Sequence, residues 1–528
     1  MTFLFSRVKL ILFIAGSISF NVIRSQVADI AINANSTWNG EQSLAINPNN
    51  PNHLVVAWMK YMFFPTPASV YIATSTSTNG GLTWSNPVNI PHHKTAWTSA
   101  DPTLAFKNDG TIYLGFIDSN NAKDSAAVFV TKSTNGGTSW GALSKVVDYN
   151  DSPDLIFDRP WLVVDNSGGP FDGYLYLVSM SYKADPLPHH IYLTRSTNGG
   201  TTWGTPLLVD SAIPVGPSLQ AMGVPAVSKD GRLYIGYLSY NPIQSVFPRF
   251  IYALSTDGGS TLTNSVIMNG IGTTITNDTL LQYSYKLSAN PTNSNNLVFS
   301  FVDKSNADYD IYAINSNNGG SSWNTPIRVS SDPINNGNNQ DMLWANFSET
   351  GKYAAVWRDR RANNGAQNQP YKIWGSLSNN GGNSFSPNFQ ISQTDGPLMT
   401  PVDGNDFLGC VLNDTVVYSC WTDKRNNSTN QLYFNKFKLA NVTGILSETV
   451  NDTGIRIYPN PNKGEFIIAF IKENDRKIEI TDMNGKLIHT LNSIDKQVKI
   501  NLKLIPGNYF LRVFESSKTS KLSFIIDQ

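Results

Sequence analysis

STNGGTTW, residues 196–203, is the stretch whose reading decides the fold. Its residue types suit a tight turn. Ser196 and Asn198 have short side chains that bond nearby backbone N–H groups, and Gly199 and Gly200 permit positive φ. Trp203 supplies a large ring to bury beneath the turn. The stretch recurs as STNGGLTW (77–84), STNGGTSW (133–140), STDGGSTL (255–262), SNNGGSSW (316–323) and SNNGGNSF (378–385). Copies spaced by about 60 residues are the mark of a repeat architecture.

Around each turn lies one unit, clearest at 99–147. Apolar runs PTLAF (102–106), TIYLGFI (111–117) and AAVFVT (126–131) are followed by the turn and a short run LSKVV (143–147). Four β-branched and aromatic segments separated by turn residues predict a four-stranded antiparallel sheet. First strands begin near Gln42, Asp101, Arg159, Gly223, Tyr285, Asp341 and Asn405, which makes seven sheets. The seventh lacks a fourth strand, while VADIAIN (27–33) is a strand without a sheet. Pairing the two closes a ring and leaves no free sheet edge.

The repeated pattern S-x-[DN]-x-G-x-[ST]-[WF] resembles the Asp-box, or BNR repeat, of the sialidase superfamily. The resemblance implies an all-β chain built as a β-propeller, and the seven units counted above make residues 26–440 a seven-bladed one. In that family the Asp-boxes are structural and lie away from the active site. The family's mechanism uses an arginine triad on a substrate carboxylate, a Tyr nucleophile polarised by Glu, and an Asp acid/base. Between residues 27 and 440 the glutamates are Glu41 and Glu349. No Arg-Ile-Pro motif is present, and FDRPW (157–161) is a loose echo of it.

The ends of the chain differ in composition. Residues 1–25 read as a signal peptide, with Arg7 and Lys9 before an apolar run from Leu10 to Phe20 that is too short to span a bilayer. No later stretch is long and apolar enough for a membrane helix. After a linker (441–454), residues 455–528 carry IYPNPNKGEFIIAF (457–470), IEITDMNGKLI (478–488) and LIPGNYFLRVF (504–514). This segment resembles the type A sorting domain of the type IX secretion system of Bacteroidota. The resemblance implies a small C-terminal β-sandwich, contact with the type IX machinery, and a secreted or outer-membrane surface location. Charged residues are 15% of the chain and balance at 39 of each sign, which disfavours a nucleic-acid partner.

Chemistry is expected on the face opposite the Asp-box turns, where the longer loops emerge. Glu41, Asp101 and Asp158 stand at first-strand starts and are the weak candidates for catalysis. Arg159, Arg358, Asp359, Arg360, Asp423 and Arg425 are candidates for ligand binding, since guanidinium groups capture carboxylate, sulfate or phosphate. Aspartates recurring at one blade position also cap loops or join neighbouring blades. Phe63, Phe64, Trp97 and Phe247 could stack on sugar rings. DNSGGPFDG (165–173) could hold Ca²⁺, although it lacks EF-hand alternation; no other metal or cofactor is expected. His189 and His190 read as solvated. Cys410 and Cys420 are compatible with two buried thiols or a disulfide. The function expected is binding, with hydrolysis an open possibility, of glycans or another extracellular polymer. The alternative is a non-catalytic adhesin or scaffold at the cell surface.

Overall fold

The computed structural model describes residues 27–33, 37–64, 68–122, 124–148, 157–181, 189–216, 222–240, 248–270, 285–363, 369–397, 407–425, 429–439, 455–458, 462–470, 472–482, 486–505, 507–515 and 518–526. The expected signal peptide and linker, together with Phe247, lie outside these residues. Within 27–439 the chain forms seven four-stranded antiparallel sheets, the blades of a propeller. Blade 1 is representative: Asn39–Asn47, Asn50–Met62, Ser69–Ser77 and the two-residue outer strand Val88–Asn89. First strands start within a few residues of the sequence expectation in every blade.

The ring closes as the sequence requires. Ile30–Asn33 pairs antiparallel with Gln431–Lys438, Ile30 opposite Phe434 and Ala31 opposite Tyr433. Asp29, just ahead of that strand, accepts from the Gln393 amide at 2.9 Å and from Asn435 Nδ2 at 2.7 Å. It also forms an ion pair with Arg425. The N-terminal strand is thus fixed to blades 6 and 7 together.

The repeated turns fold alike because the same atoms do the same work. Ser77 Oγ accepts the Gly81 N–H at 2.8 Å, and Asn79 Oδ1 accepts the Thr83 N–H at 3.0 Å. The copy at 255–262 substitutes Asp257 for Asn and keeps both bonds, Gly259 N–H to Ser255 and Thr261 N–H to Asp257. Each turn also packs on the preceding blade: the Gly136 carbonyl meets His53 Nε2 at 2.9 Å, and Trp140 Nε1 donates to Thr74 at 3.0 Å. Residues 455–526 form a separate unit of two sheets, three- and four-stranded. Their inner faces share one core containing Ile457, Phe466, Ile468, Ile480, Leu511 and Phe524, so the unit is a small sandwich.

Candidate functional site

One backbone device recurs where the first strands reach the long-loop face. In blades 1, 2, 3 and 6 a β-bulge sets two residues against one on the second strand, between Gly40 and Gln42, Ala100 and Thr103, Asp158 and Trp161, and Asp341 and Trp344. The bulged residues Glu41, Asp101, Arg159 and Met342 all have φ between 45° and 53°. None is glycine, so each holds a conformation that L-residues resist. Bulges re-aim side chains and concentrate beside functional sites. Here three of the four carry charges into one cup.

Asp101 is 7% exposed, with Glu41 and Asp158 in hydrogen-bond contact. The Arg159 N–H donates to Asp101 Oδ2 and lies equally close to Asp158 Oδ1, each at 3.1 Å. Three carboxyl groups this close cannot all be ionised. Burial first, then the neighbouring Glu41, holds Asp101 well above the usual carboxylate range. Burial and Asp101 raise Asp158 to about 7. The cluster therefore keeps a proton at neutral pH, shared among groups from three adjacent blades.

The candidate arginines take different partners. Arg358 grips Asp341 with Nε at 2.6 Å and Nη2 at 2.9 Å, and Arg360 Nη2 reaches the same carboxylate at 3.0 Å. Both are nearly inaccessible, at 3% and 1%. Two guanidinium groups outweigh the burial penalty and hold Asp341 down to about 2. Asp359 and Asp423 belong to a repeated W-x-D-x-R lock. Each accepts from the indole of Trp357 or Trp421 at 2.9 Å and pairs with Arg361 or Arg425. Arg425 then extends to Asp29 and lies 4.2 Å over the Tyr433 ring, at the ring closure and away from the cup cluster. Arg159 accompanies the carboxyl cluster.

The sequence reading missed what lies along the axis. Thr103, Trp161, Lys286 and Trp344 occupy the same register in their first strands, opposite Gly115, Val178, Ser300 and Val356. Trp161 of blade 3 and Trp344 of blade 6 meet at 5.0 Å, which in a seven-membered ring requires contact across the axis. Phe407 joins them at 5.3 Å and 5.9 Å. Lys286 Nζ lies 4.7 Å and 4.9 Å over the two indoles, its pKa lowered to about 8 by burial. Aligning FDRPW with QDMLW (340–344) is the signal that could have revealed the plug.

Other expectations resolve individually. Phe63 and Phe64 are 57% and 76% exposed on the blade 1 loop, whereas Trp97 is buried against His93 and Lys94. His189 is buried, its Nδ1 bonded to the Ser181 carbonyl, and His190 pairs with Asp210 at 3.0 Å. These are corrections to the solvated reading: the hairpin that joins Ser181 to His190 buries His189 and half-buries His190. In 165–173, Asp165 and Asp172 accept from the loop's own amides, Ser167 and Gly168. Cys410 and Cys420 are free and buried; Cys410 lies opposite Ser419 and Cys420 opposite Gly409, so strand alternation turns them to opposite faces.

The family profile of the secretion-system C-terminal sorting domain matches residues 456–527. The protein is accordingly secreted or held at the outer-membrane surface. No curated protein sequence matches the chain. Among solved structures, a protein of unknown function from Dyadobacter fermentans is similar at 14% identity and a TM-score of 0.43, covering 79% of this chain and 99% of its own. An α-L-arabinanase from Penicillium chrysogenum is similar at 12% identity and 0.43, covering 79% and 99%. The NanB sialidase of Streptococcus pneumoniae is similar at 13% identity and 0.39, covering 80% and 71%. These likenesses concern the fold alone.

Proposed function

We propose that the cup is a glycan site in which the Glu41–Asp101–Asp158 cluster supplies the acid for cleaving a glycosidic bond. The observation that carries this reading is the contact of three carboxyl groups, Asp101 buried between Glu41 and Asp158 beside positive-φ non-glycine bulges, where burial raises Asp158 to about 7. Glycoside hydrolysis needs one carboxyl group protonated at working pH and a second one ionised. Asp158 fits the first role, and Glu41, partly open to the cup on the far side of Asp101, fits the second. The exposed rings of Phe63 and Phe64 extend from the second strand of blade 1, whose Met59 pairs with Gly40 beside Glu41. Flat apolar faces of that kind suit pyranose rings.

The site argues for a neutral polymer over a sialoglycan. Arg358 and Arg360 share the Asp341 carboxylate and are buried at 3% and 1%, and Arg159 stands beside Asp101 and Asp158. The test is reducing-sugar release from a panel of neutral, uronic and sialylated polysaccharides, with wild type compared against Asp158→Asn. Turnover on a neutral polymer, lost in the variant, supports the reading. Binding on a glycan array without turnover would instead favour the adhesin, and neither binding nor turnover would favour a scaffold.

A further inference from the structure

Outside the cup, between blades 1 and 2, a serine, a histidine and an aspartate stand in line. Ser69 Oγ lies 3.3 Å from His92 Nε2, and His92 Nδ1 lies 2.9 Å from Asp118 Oδ1. Asp118 is fully buried and its carboxylate can only accept, so Nδ1 carries the ring proton and the Nε2 lone pair faces Ser69. Two further donors fix the aspartate: Ser99 Oγ at 3.0 Å on Oδ1 and the His93 N–H at 2.7 Å on Oδ2. The Tyr71 ring lies 4.0 Å from the imidazole and holds its plane.

The repeats themselves provide a comparison. Asp118 occupies the second-strand position of Asp359 and Asp423, where the aspartate serves an indole N–H and an arginine. In blade 2 the corresponding residues are Phe116 and Asn120, which offer neither. The same aspartate is given over to an imidazole whose other nitrogen faces a hydroxyl. A nucleophile, a base and an orienting group in hydrogen-bond reach is the arrangement of covalent acyl transfer.

We propose that Ser69, His92 and Asp118 form an acyl-ester hydrolase site distinct from the carboxylate cup. Ser69 Oγ attacks the ester carbonyl carbon while His92 Nε2 takes the hydroxyl proton. The tetrahedral intermediate collapses with that proton passing from His92 to the departing alcohol oxygen. Water, activated by the same nitrogen, then cleaves the acyl-serine and releases the carboxylic acid. The Val70 N–H next to Ser69 donates to Thr98 Oγ1 at 3.2 Å, which leaves the Thr98 hydroxyl proton as a donor for a developing oxyanion. Ser69 is 6% exposed, which restricts the acyl group to a small one such as acetyl. Ser99 shares the strand Thr98–Phe106 with Asp101, so this site borders the cup without using its residues.

The experiment treats the full secreted chain with a small fluorophosphonate probe and maps the adduct by peptide mass spectrometry, alongside hydrolysis of p-nitrophenyl acetate. The expected result is one adduct at Ser69, absent in Ser69→Ala, with acetate release lowered at least about a hundredfold in that variant. Asp118→Asn should slow labelling to a similar degree. Should Asp118→Asn fail to fold, Ser69→Ala remains decisive, since it removes one hydroxyl from a single contact. Labelling elsewhere, no labelling of folded wild type, or wild-type acetate release by Ser69→Ala would each overturn the proposal.

Discussion

The Arg159 backbone N–H donates to Asp101 Oδ2 at 3.1 Å, and so a residue in left-handed conformation in blade 3 serves a residue in left-handed conformation in blade 2. The contact joins two bulges and orders the Asp101 carboxyl group. It also couples blade packing to the ionisation of the site, and that coupling has measurable consequences.

The first consequence is for stability against pH. Asp158 has its pKa raised to about 7 in the folded state, and Asp101 is raised as well. A folded state that holds protons the unfolded chain releases loses stability as pH rises. For Asp158 the decline should run from about pH 4, the ordinary carboxylate value, to about pH 7. Asp158→Asn, which mimics the protonated group, should flatten the dependence of Tm on pH in that window. A variant with the wild-type slope would contradict the assignment.

Asp341 is predicted to behave in the opposite sense. Its pKa is held near 2 by Arg358 and Arg360, so the stability it contributes is full above the ordinary carboxylate value and is lost as pH falls toward 2. Asp341→Asn leaves two buried guanidinium groups without their anion, a loss on the order of 3–5 kcal/mol. Chemical denaturation at pH 7 checks this. A change below about 1 kcal/mol, the scale of an exposed pair, would mean that the pair is solvated.

Two glycines separate strain from contact in the turns. Gly81 and Gly110 have similar φ, 81° and 87°, yet a Cβ at Gly81 would come within 2.1 Å of the Phe434 ring, whereas one at Gly110 meets nothing within 4 Å. Gly81→Ala should therefore cost clearly more than Gly110→Ala, which carries only the backbone penalty of roughly 1–2 kcal/mol. Equal losses of Tm would show that the turn does not pack on blade 7.

Closure by the N-terminal strand predicts that Asp29→Ala weakens the whole ring. Arg425 loses one of its two anions, and the Gln393 and Asn435 donors lose their acceptor. Hydrogen exchange should accelerate in 431–438 and 416–423 before it does in blades 3 and 4. Acceleration confined to residues 27–33 would contradict the coupling.

The architecture was legible because it is periodic: six turns in phase, seven first strands and one orphan strand leave few alternatives. The acidic cluster was legible for the same reason, since Glu41, Asp101 and Asp158 recur at first-strand starts. The arginines' partners were not legible, because residues adjacent in sequence diverge in space. Along 357–361, Arg358 and Arg360 turn to Asp341, while Asp359 turns to Trp357 and Arg361. The axial Trp161–Trp344 contact was legible only by aligning FDRPW with QDMLW, and no spacing along the chain encodes the Ser69–His92–Asp118 line, which joins two blades. His189 read as solvated because the bond of its Nδ1 to the Ser181 carbonyl leaves no mark in the residue pattern.

The most direct test of the central claim is the pH dependence of kcat/KM on whichever neutral polysaccharide the wild type cleaves, measured for wild type and Asp158→Asn. Activity in the wild type should fall as pH rises through about 7, where Asp158 gives up its proton. In the variant kcat/KM should drop by about 10²–10⁴ and lose that limb. Full activity in Asp158→Asn with the wild-type pH profile would contradict the assignment of the cup cluster as the catalytic acid.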